Sequence, residues 1–491
     1  MTDAVLLPPN QAAQSLAAKV RQAVIWRSGS QIVAQLVQWA ATFLVIRILQ
    51  PADYGLYAMT GVVLAFLNLL NGYGLATGLI RQPQVTPLQV RQLFGMLLLL
   101  NATLAIIQIG AAPLVAAYYR QPPITTMLRV QALLYLFTPF ITLPYALLAR
   151  EMDFAKQARV NICASIAGAG AALGGALAGW GVWTLVWAPL VLFGARAIGM
   201  TLAARSLVWP SFRFGGAGAL ARYGGMVTLA QFFWFGQTQA DVMIAGRHFD
   251  AHGVGLYTTA LFLTQIFQNK VVPPLNEVAF SAYARMQGEA GAVGAAFLRS
   301  TGAIMAAALP IYLGMAASAD ALVRFALGDH WVGAVPLVRL LGCAMPFMTL
   351  YVVMPPASDA IGRPGIGVRA SMGGAILLPI AYLVGVRWGL TGLAAAWLTT
   401  YPLLVIVLAR GVLPAIGVSA GALAAAVAPA LRAALVMAAA VAALDALLPP
   451  LPPGVKLVLL ASAGAAIYAG WLLAFARGTV DELRALVRRR A

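Results

Sequence analysis

Acidic side chains are scarce: the 491 residues hold 14 Asp and Glu against 32 Lys and Arg, and only 9% of the chain is charged. Too little polar surface is left for a soluble fold of this length to present to water. Cysteine is rarer still. Cys163 and Cys343 lie far apart, each in apolar sequence, so no disulfide framework is indicated. The three histidines, His248, His252 and His330, have no metal-ligand spacing, and no metal or cofactor is expected. The N-terminus lacks a charged region leading into a cleavable apolar stretch, so no signal peptide is expected. A long outward loop is missing too. In the longest, Asp320 to Ala334, the residues Asp320, Asp329 and His330 do not suggest a nucleophile, a base and its orienter. The chain is therefore not expected to be an enzyme.

Hydrophobic residues, by contrast, make up 62% of the chain, and mean hydropathy is +0.86. Apolar runs of about 18 or more residues recur along the whole length, each able to cross a hydrocarbon core of about 30 Å as a helix. The chain reads as an all-α polytopic membrane protein. Its organisation shows in a repeat. The stretch RILQPADYGLY, Arg47 to Tyr57, returns as RHFDAHGVGLY, Arg247 to Tyr257. Both copies place an arginine at the end of an apolar run, then a short polar turn, then Gly-Leu-Tyr at the start of the next run. A second echo pairs Trp180-Gly181 with Trp388-Gly389.

These marks divide the chain into an amphipathic N-terminus (1–27), a six-span half (28–222), a second six-span half (223–410), an appended pair of spans (411–476) and a basic tail (477–491). The total is about 14 spans. A Gly/Ala-rich run beginning at Gly168 predicts close helix packing within the fifth span. The connection 411–429 is expected to be interfacial or partly re-entrant.

A net charge of +18 would raise nucleic acid as a partner in a soluble chain. Here the basic residues fall in short loops on one side of the spans, such as Arg150, Lys156 and Arg159, or Arg363 and Arg369. That pattern sets topology and predicts both termini in the cytoplasm.

Ionisable groups inside spans carry the functional signal, because each is costly in hydrocarbon and normally faces a polar interior. Lys270 is the clearest, since the first half has Leu70 at that depth. Glu277 follows seven residues later, and Pro273 and Pro274 between them should break or kink the helix. Lys270 is read as lumen-facing, with a buried ion pair to Asp241 or Glu277 as the alternative. Arg339 lies in the tenth span. Arg129 and Arg196 lie near span ends, where snorkelling to the headgroups explains them. Arg47 and Arg247 are either interfacial anchors or part of the lumen. Gln265, Gln268, Asn269, Gln231, Gln237 and Gln239 predict a hydrated face, which Asn68 and Asn71 could extend. A cavity with Lys270, Arg339, Arg47 and Arg247 facing inward would hold an anion such as pyrophosphate through charge-assisted bonds.

In this order, the motifs RILQPADYGLYAM, NGYGLATGLIRQ (71–82), ALLAREMDF (146–154) with GWGVWTLV, DVMIAGRHFDAHGVGLYTTA (241–260), LGDHWVGAVPLVRLL (327–341) and IGRP (361–364) carry a resemblance. The chain resembles the Wzx-like polysaccharide transporter branch of the multidrug/oligosaccharidyl-lipid/polysaccharide flippase superfamily. The resemblance implies a MATE-like, two-lobed bundle that alternates between inward-open and outward-open states in the bacterial inner membrane. Its implied cargo is an undecaprenyl-diphosphate-linked repeat unit for exopolysaccharide, O-antigen or lipopolysaccharide, with Lys270, Arg339, Arg47, Arg247, Gln268 and Asn269 as substrate-binding candidates. Coupling to H+ or Na+ is also implied, with Glu277 and Asp241 as candidate sites. Membrane lipids and a polysaccharide polymerase or co-polymerase are the expected partners. Other readings are an ion-coupled multidrug antiporter, a peptidoglycan precursor flippase, a membrane glycosyltransferase or polymerase, and a purely structural membrane protein. The two cations Lys270 and Arg339 weigh against a cationic-drug antiporter.

Overall fold

Every regular element among the residues described by this computed structural model (29, 31–70, 85–151, 153–212, 235–289 and 291–478) is helical. The chain falls into two compact units, Met1–Phe232 and Phe233–Ala491. In the first are α1 (Gln31–Ile48), α2 (Pro51–Asn68), α3 (Pro87–Tyr119), α4 (Pro123–Gln131), α5 (Leu133–Arg150), α6 (Phe154–Leu177) and α7 (Val182–Ala204). The second begins with α8 (235–248). It continues with α9 (Ala251–Lys270), α10 (Val272–Met286), α11 (Ala292–Ala317), α12 (Ala319–Ala326), α13 (Val335–Val353), α14 (Pro355–Ala360), α15 (Gly365–Gly385), α16 (Gly389–Ala415), α17 (Ala420–Leu447) and α18 (Pro453–Phe475). Ten stretches of the described residues are helical, long and apolar enough to cross a membrane. The basic flank at Lys19, Arg21 and Arg27, the motif at 71–82, Gln231 and the tail from Arg484 to Arg490 lie outside the described residues.

The repeated turn is where helices stop and restart. The first helix ends one residue past Arg47 and the next begins at Pro51. In the second copy one ends at residue 248, one past Arg247, and the next begins at Ala251. The restarts differ by 251 − 51 = 200 residues, the offset of the sequence repeat. Each turn satisfies helix-end donors with a carboxylate. The Gly253 N–H donates to Asp250 at 2.8 Å, and the Gln50 N–H donates to Asp53 at 3.0 Å. Such caps take up groups that the helix itself cannot pair. The Trp-Gly echo is also conformational: Gly181 (φ 52°) and Gly389 (φ 74°) both hold a left-handed backbone at the turn into α7 or α16.

Small residues set the helix contacts. α6 packs on α7 so closely that a Cβ on Gly168 would lie 2.7 Å from the Leu192 Cβ. Gly199 stands equally close to Val160. The predicted close packing of the Gly/Ala-rich span is thus present. In the second unit α15 and α16 meet backbone to backbone, and a Cβ on Gly385 would lie 2.5 Å from the Gly392 carbonyl oxygen.

The connection at 411–429 is mostly helical. α16 runs on to Ala415 and α17 starts at Ala420, with the Ser419 hydroxyl accepting the Ala422 N–H at 3.0 Å. Alanine favours helix, and a helix pairs its own backbone groups, so most of this apolar stretch continues as helix. α17 then packs on α11 through Val427, Ala430 and Ala434 against Met305, Ala306 and Leu309. It packs on α18 through Met437 and Val441.

Candidate functional site

Asp241 is fully buried within α8, at 0% exposure. Its Oδ2 accepts the Tyr257 hydroxyl of α9 at 2.9 Å, and its Oδ1 accepts the Val242 N–H at 2.8 Å. Tyr257 in turn accepts the indole N–H of Trp397, on α16, at 2.8 Å. Three helices thus meet at one carboxylate. Trp397 stacks on Tyr401 with ring centroids 5.1 Å apart, and Tyr401 meets Tyr351 edge-on at 6.0 Å. Tyr382 of α15 is buried beside them, 6.1 Å from Trp397 between centroids, and its hydroxyl finds no hydrogen-bond partner among the described residues. Buried polar groups left unpaired are uncommon, and this one sits within electrostatic reach of Asp241.

Lys270 is the last residue of α9, exposed, with Asn269 exposed beside it. The helix breaks there as the Pro273-Pro274 pair predicts, and α10 restarts at Val272. Glu277 is exposed on α10. Gln268 is buried instead, its Oε1 accepting the Thr349 hydroxyl of α13 at 3.0 Å. It ties α9 to α13. Asn276 holds the other side of the break by donating to the Val352 carbonyl at 3.0 Å.

These contacts fix depth. Lys270 is 13 residues past Tyr257, about 20 Å along the axis at 1.5 Å per residue. A Lys270–Asp241 ion pair, one of the expected alternatives, is therefore corrected: Asp241 is bound at the Tyr257 level, beyond the lysine's reach. Arg339 is exposed on α13, ten residues before Thr349 and so about 15 Å from the Lys270 level. Half-buried Arg247 stands at the end of α8 beside the start of α9. In the second unit the expected cations thus spread along the bundle instead of forming one cluster, with Arg247 beside the start of α9, 19 residues or about 28 Å before Lys270. Exposed Arg47 closes α1 in the first unit.

Two charged groupings lie outside the spans. Asp153 caps α6, accepting the Lys156 N–H at 3.2 Å and pairing with its ammonium at 2.8 Å. The bond from that ammonium holds the Asp153 carboxyl below its ordinary range. Between Asp320 and Ala334, Arg324 bridges Asp329 at 2.7 Å and Asp320 at 3.1 Å. Both bonds raise its guanidinium further above its usual range. Among the described residues no group of His, Cys, Asp and Glu could hold a metal ion.

Sequence reasoning picked Asp241 and Lys270 but missed Trp397, Tyr382 and Tyr401. The available signal was Tyr257, which closes the repeated motif and is bonded to Asp241.

Comparison with known proteins agrees with this architecture. A family model described as polysaccharide biosynthesis protein matches residues 44–336. The chain is 21% identical over 398 residues to the teichuronic acid biosynthesis protein TuaB of Bacillus subtilis, spanning 78% of this chain and 80% of that one. It is 26% identical to the succinoglycan biosynthesis transport protein ExoT of Rhizobium meliloti, over 65% of each chain. With the lipopolysaccharide biosynthesis protein WzxC of Escherichia coli it shares 20% identity over 60% of each. The fold is that of the lipid II flippase MurJ in an inward closed conformation (TM-score 0.74, 9% identity, 93% of this chain and 100% of that one). An inward-facing multidrug resistance MATE transporter is similar as well (TM-score 0.62, 14% identity, 80% and 98%).

Proposed function

Since the chain belongs to the polysaccharide biosynthesis protein family and is a multi-pass membrane transporter with no catalytic role, we propose that it flips undecaprenyl-diphosphate-linked oligosaccharide repeat units across the bacterial inner membrane by alternating access. The observation that carries this reading is Lys270 at the break between α9 and α10. An exposed ammonium at a discontinuity between two helices of an apolar chain serves a polar cargo better than it serves packing. Arg339, about 15 Å from the Lys270 level, and Arg247 at the end of α8 are the proposed further charge-assisted partners for a pyrophosphate leaving its hydration shell, and Arg47 is the candidate in the first unit.

Asp241 is the proposed ion-coupling group, with Glu277 second. The coupling ion is a proton or a sodium ion. Basic residues gathered in the loops on one side favour an orientation with both termini in the cytoplasm. A polysaccharide polymerase or co-polymerase is the proposed partner on the far side.

The test is deletion of the gene, with measurement of surface polysaccharide and of lipid-linked repeat units on the cytoplasmic face. Accumulation relieved by the wild type but not by a normally inserted Lys270→Ala supports flipping through a cationic site. Normal delivery of units to the periplasm in the deletion strain, with no redundant flippase present, overturns it.

A further inference from the structure

The two units treat equivalent positions in opposite ways. With the 200-residue offset of the first repeat, Asp241 and Tyr257 correspond to Ala41 (241 − 200) and Tyr57 (257 − 200). With the offset of the Trp-Gly echo, 388 − 180 = 208, Trp397 corresponds to Pro189 and Tyr401 to Phe193. In the second unit these positions are filled by the bonded carboxylate, phenol and indole. In the first unit Ala41, Tyr57, Pro189 and Phe193 all line a cavity of about 520 Å³ between α1, α2, α6 and α7. The space is a partly open groove and not an enclosed void. It lies within the range of small-molecule sites.

Its lining selects an occupant. Small residues, among them Ala41, Gly168, Ala169, Ala172 and Ala188, leave an apolar slot. Gln38, Thr42, Tyr54 and Tyr57 add polar atoms to the lining, whose larger share is apolar. Val45, Leu49 and Ala176, with Tyr54, Ala172 and Leu185, pack together across one end. At the other end stands Arg196, the single charged side chain among the described lining residues, its guanidinium 5.7 Å from the Phe193 ring centre. Arg196 is eight residues from the end of α7 at Ala204, about 12 Å along the axis, and Arg205 follows immediately. That depth is within snorkelling distance of the headgroups of the leaflet on the Arg205 side. An apolar slot closed at one end and capped by one cation at headgroup reach is complementary to a lipid with a phosphate head.

We propose that the first unit holds an anionic phospholipid of the Arg205-side leaflet, one acyl chain lying in the slot between α1, α6 and α7 and its phosphate on Arg196. This lipid is a resident of the site, separate from any cargo carried past Lys270. Its loss loosens the packing of α1.

The test uses the full-length protein in nanodiscs containing phosphatidylglycerol or phosphatidylcholine with a diazirine in one acyl chain. Adducts are mapped by mass spectrometry. The expected result is labelling of lining peptides of α1, α6 and α7 by the phosphatidylglycerol probe about fivefold above the phosphatidylcholine probe. That ratio corresponds to about 1 kcal/mol for one cation at a phosphate. Ala172→Phe, which fills the slot, removes the labelling. Arg196→Gln lowers it to the phosphatidylcholine level, and Arg196→Lys retains it. Ala188→Leu, a smaller filling, reports the same loss if Ala172→Phe fails to elute as folded protein. Equal labelling by the two probes, or labelling that survives both filled variants, overturns the proposal. So does loss of labelling when inorganic phosphate alone is added before irradiation, which marks a small-anion site.

Discussion

Tyr257 donates its hydroxyl to the Asp241 carboxylate across 2.9 Å, in a layer where the Trp397 indole donates to Tyr257 in turn. Removing the middle member strands two buried groups at once. Tyr257→Phe is expected to cost about 1 to 3 kcal/mol, the penalty for leaving a buried polar group unpaired. Thermal unfolding in detergent measures it. Trp397→Phe, which leaves Tyr257 bonded to Asp241, should cost less.

Coupling through Asp241 predicts a separation of binding from gradient response. Asp241→Asn should retain insertion and binding of lipid-linked units but lose the dependence of flipping on the ion gradient, read in proteoliposomes with and without an imposed pH difference. An unchanged response to the gradient removes Asp241 from the coupling role.

At Lys270 the charge matters more than the shape. Lys270→Arg should restore polysaccharide export in the deletion strain, whereas Lys270→Ala and Lys270→Gln should lower it at least about tenfold, as loss of one charge-assisted bond of about 1.5 to 3 kcal/mol requires. Export assays with matched membrane levels check this.

Gly168 and Gly170 sit two residues apart in one helix and should respond oppositely to the same substitution. A Cβ on Gly168 meets the Leu192 Cβ at 2.7 Å, whereas Gly170 has nothing within 4 Å. Gly168→Ala is expected to destabilise by about 1 to 3 kcal/mol through overpacking. Gly170→Ala should stabilise by about 0.5 to 1 kcal/mol through reduced chain entropy. Paired melting curves decide.

The Asp153 cap carries a pH dependence with a definite sign. Its carboxyl is held below the ordinary value of 3.8 by the Lys156 bond. The stabilisation is therefore fully present above about pH 4 and lost as pH falls through the lowered folded-state value. Asp153→Ala should cost roughly 1 kcal/mol at neutral pH. The difference from wild type should shrink at acid pH in denaturation measured across that range.

The amino-acid sequence alone determined the membrane character and the repeat with its two turns. Long apolar runs permit little besides helix in a bilayer, and the turns at 49–50 and 249–250 are written in local chemistry through Asp53 and Asp250. The Pro273-Pro274 break is equally local. Lys270 and Asp241 were legible because an ionisable group in hydrocarbon demands an explanation. Only the tertiary structure decided what surrounds them. Asp241 lies 16 residues from Tyr257 and 156 from Trp397, and no spacing rule joins the three. The same holds for Gln268, which a polar-face reading assigns to the lumen and which packing against Thr349 takes inside. Ala41 and Pro189 look like filler in sequence, yet their smallness opens the first unit where the equivalent Asp241 and Trp397 close the second. Local chemistry decides where a helix begins and ends, but volume and hydrogen-bond complementarity exist only between helices brought together.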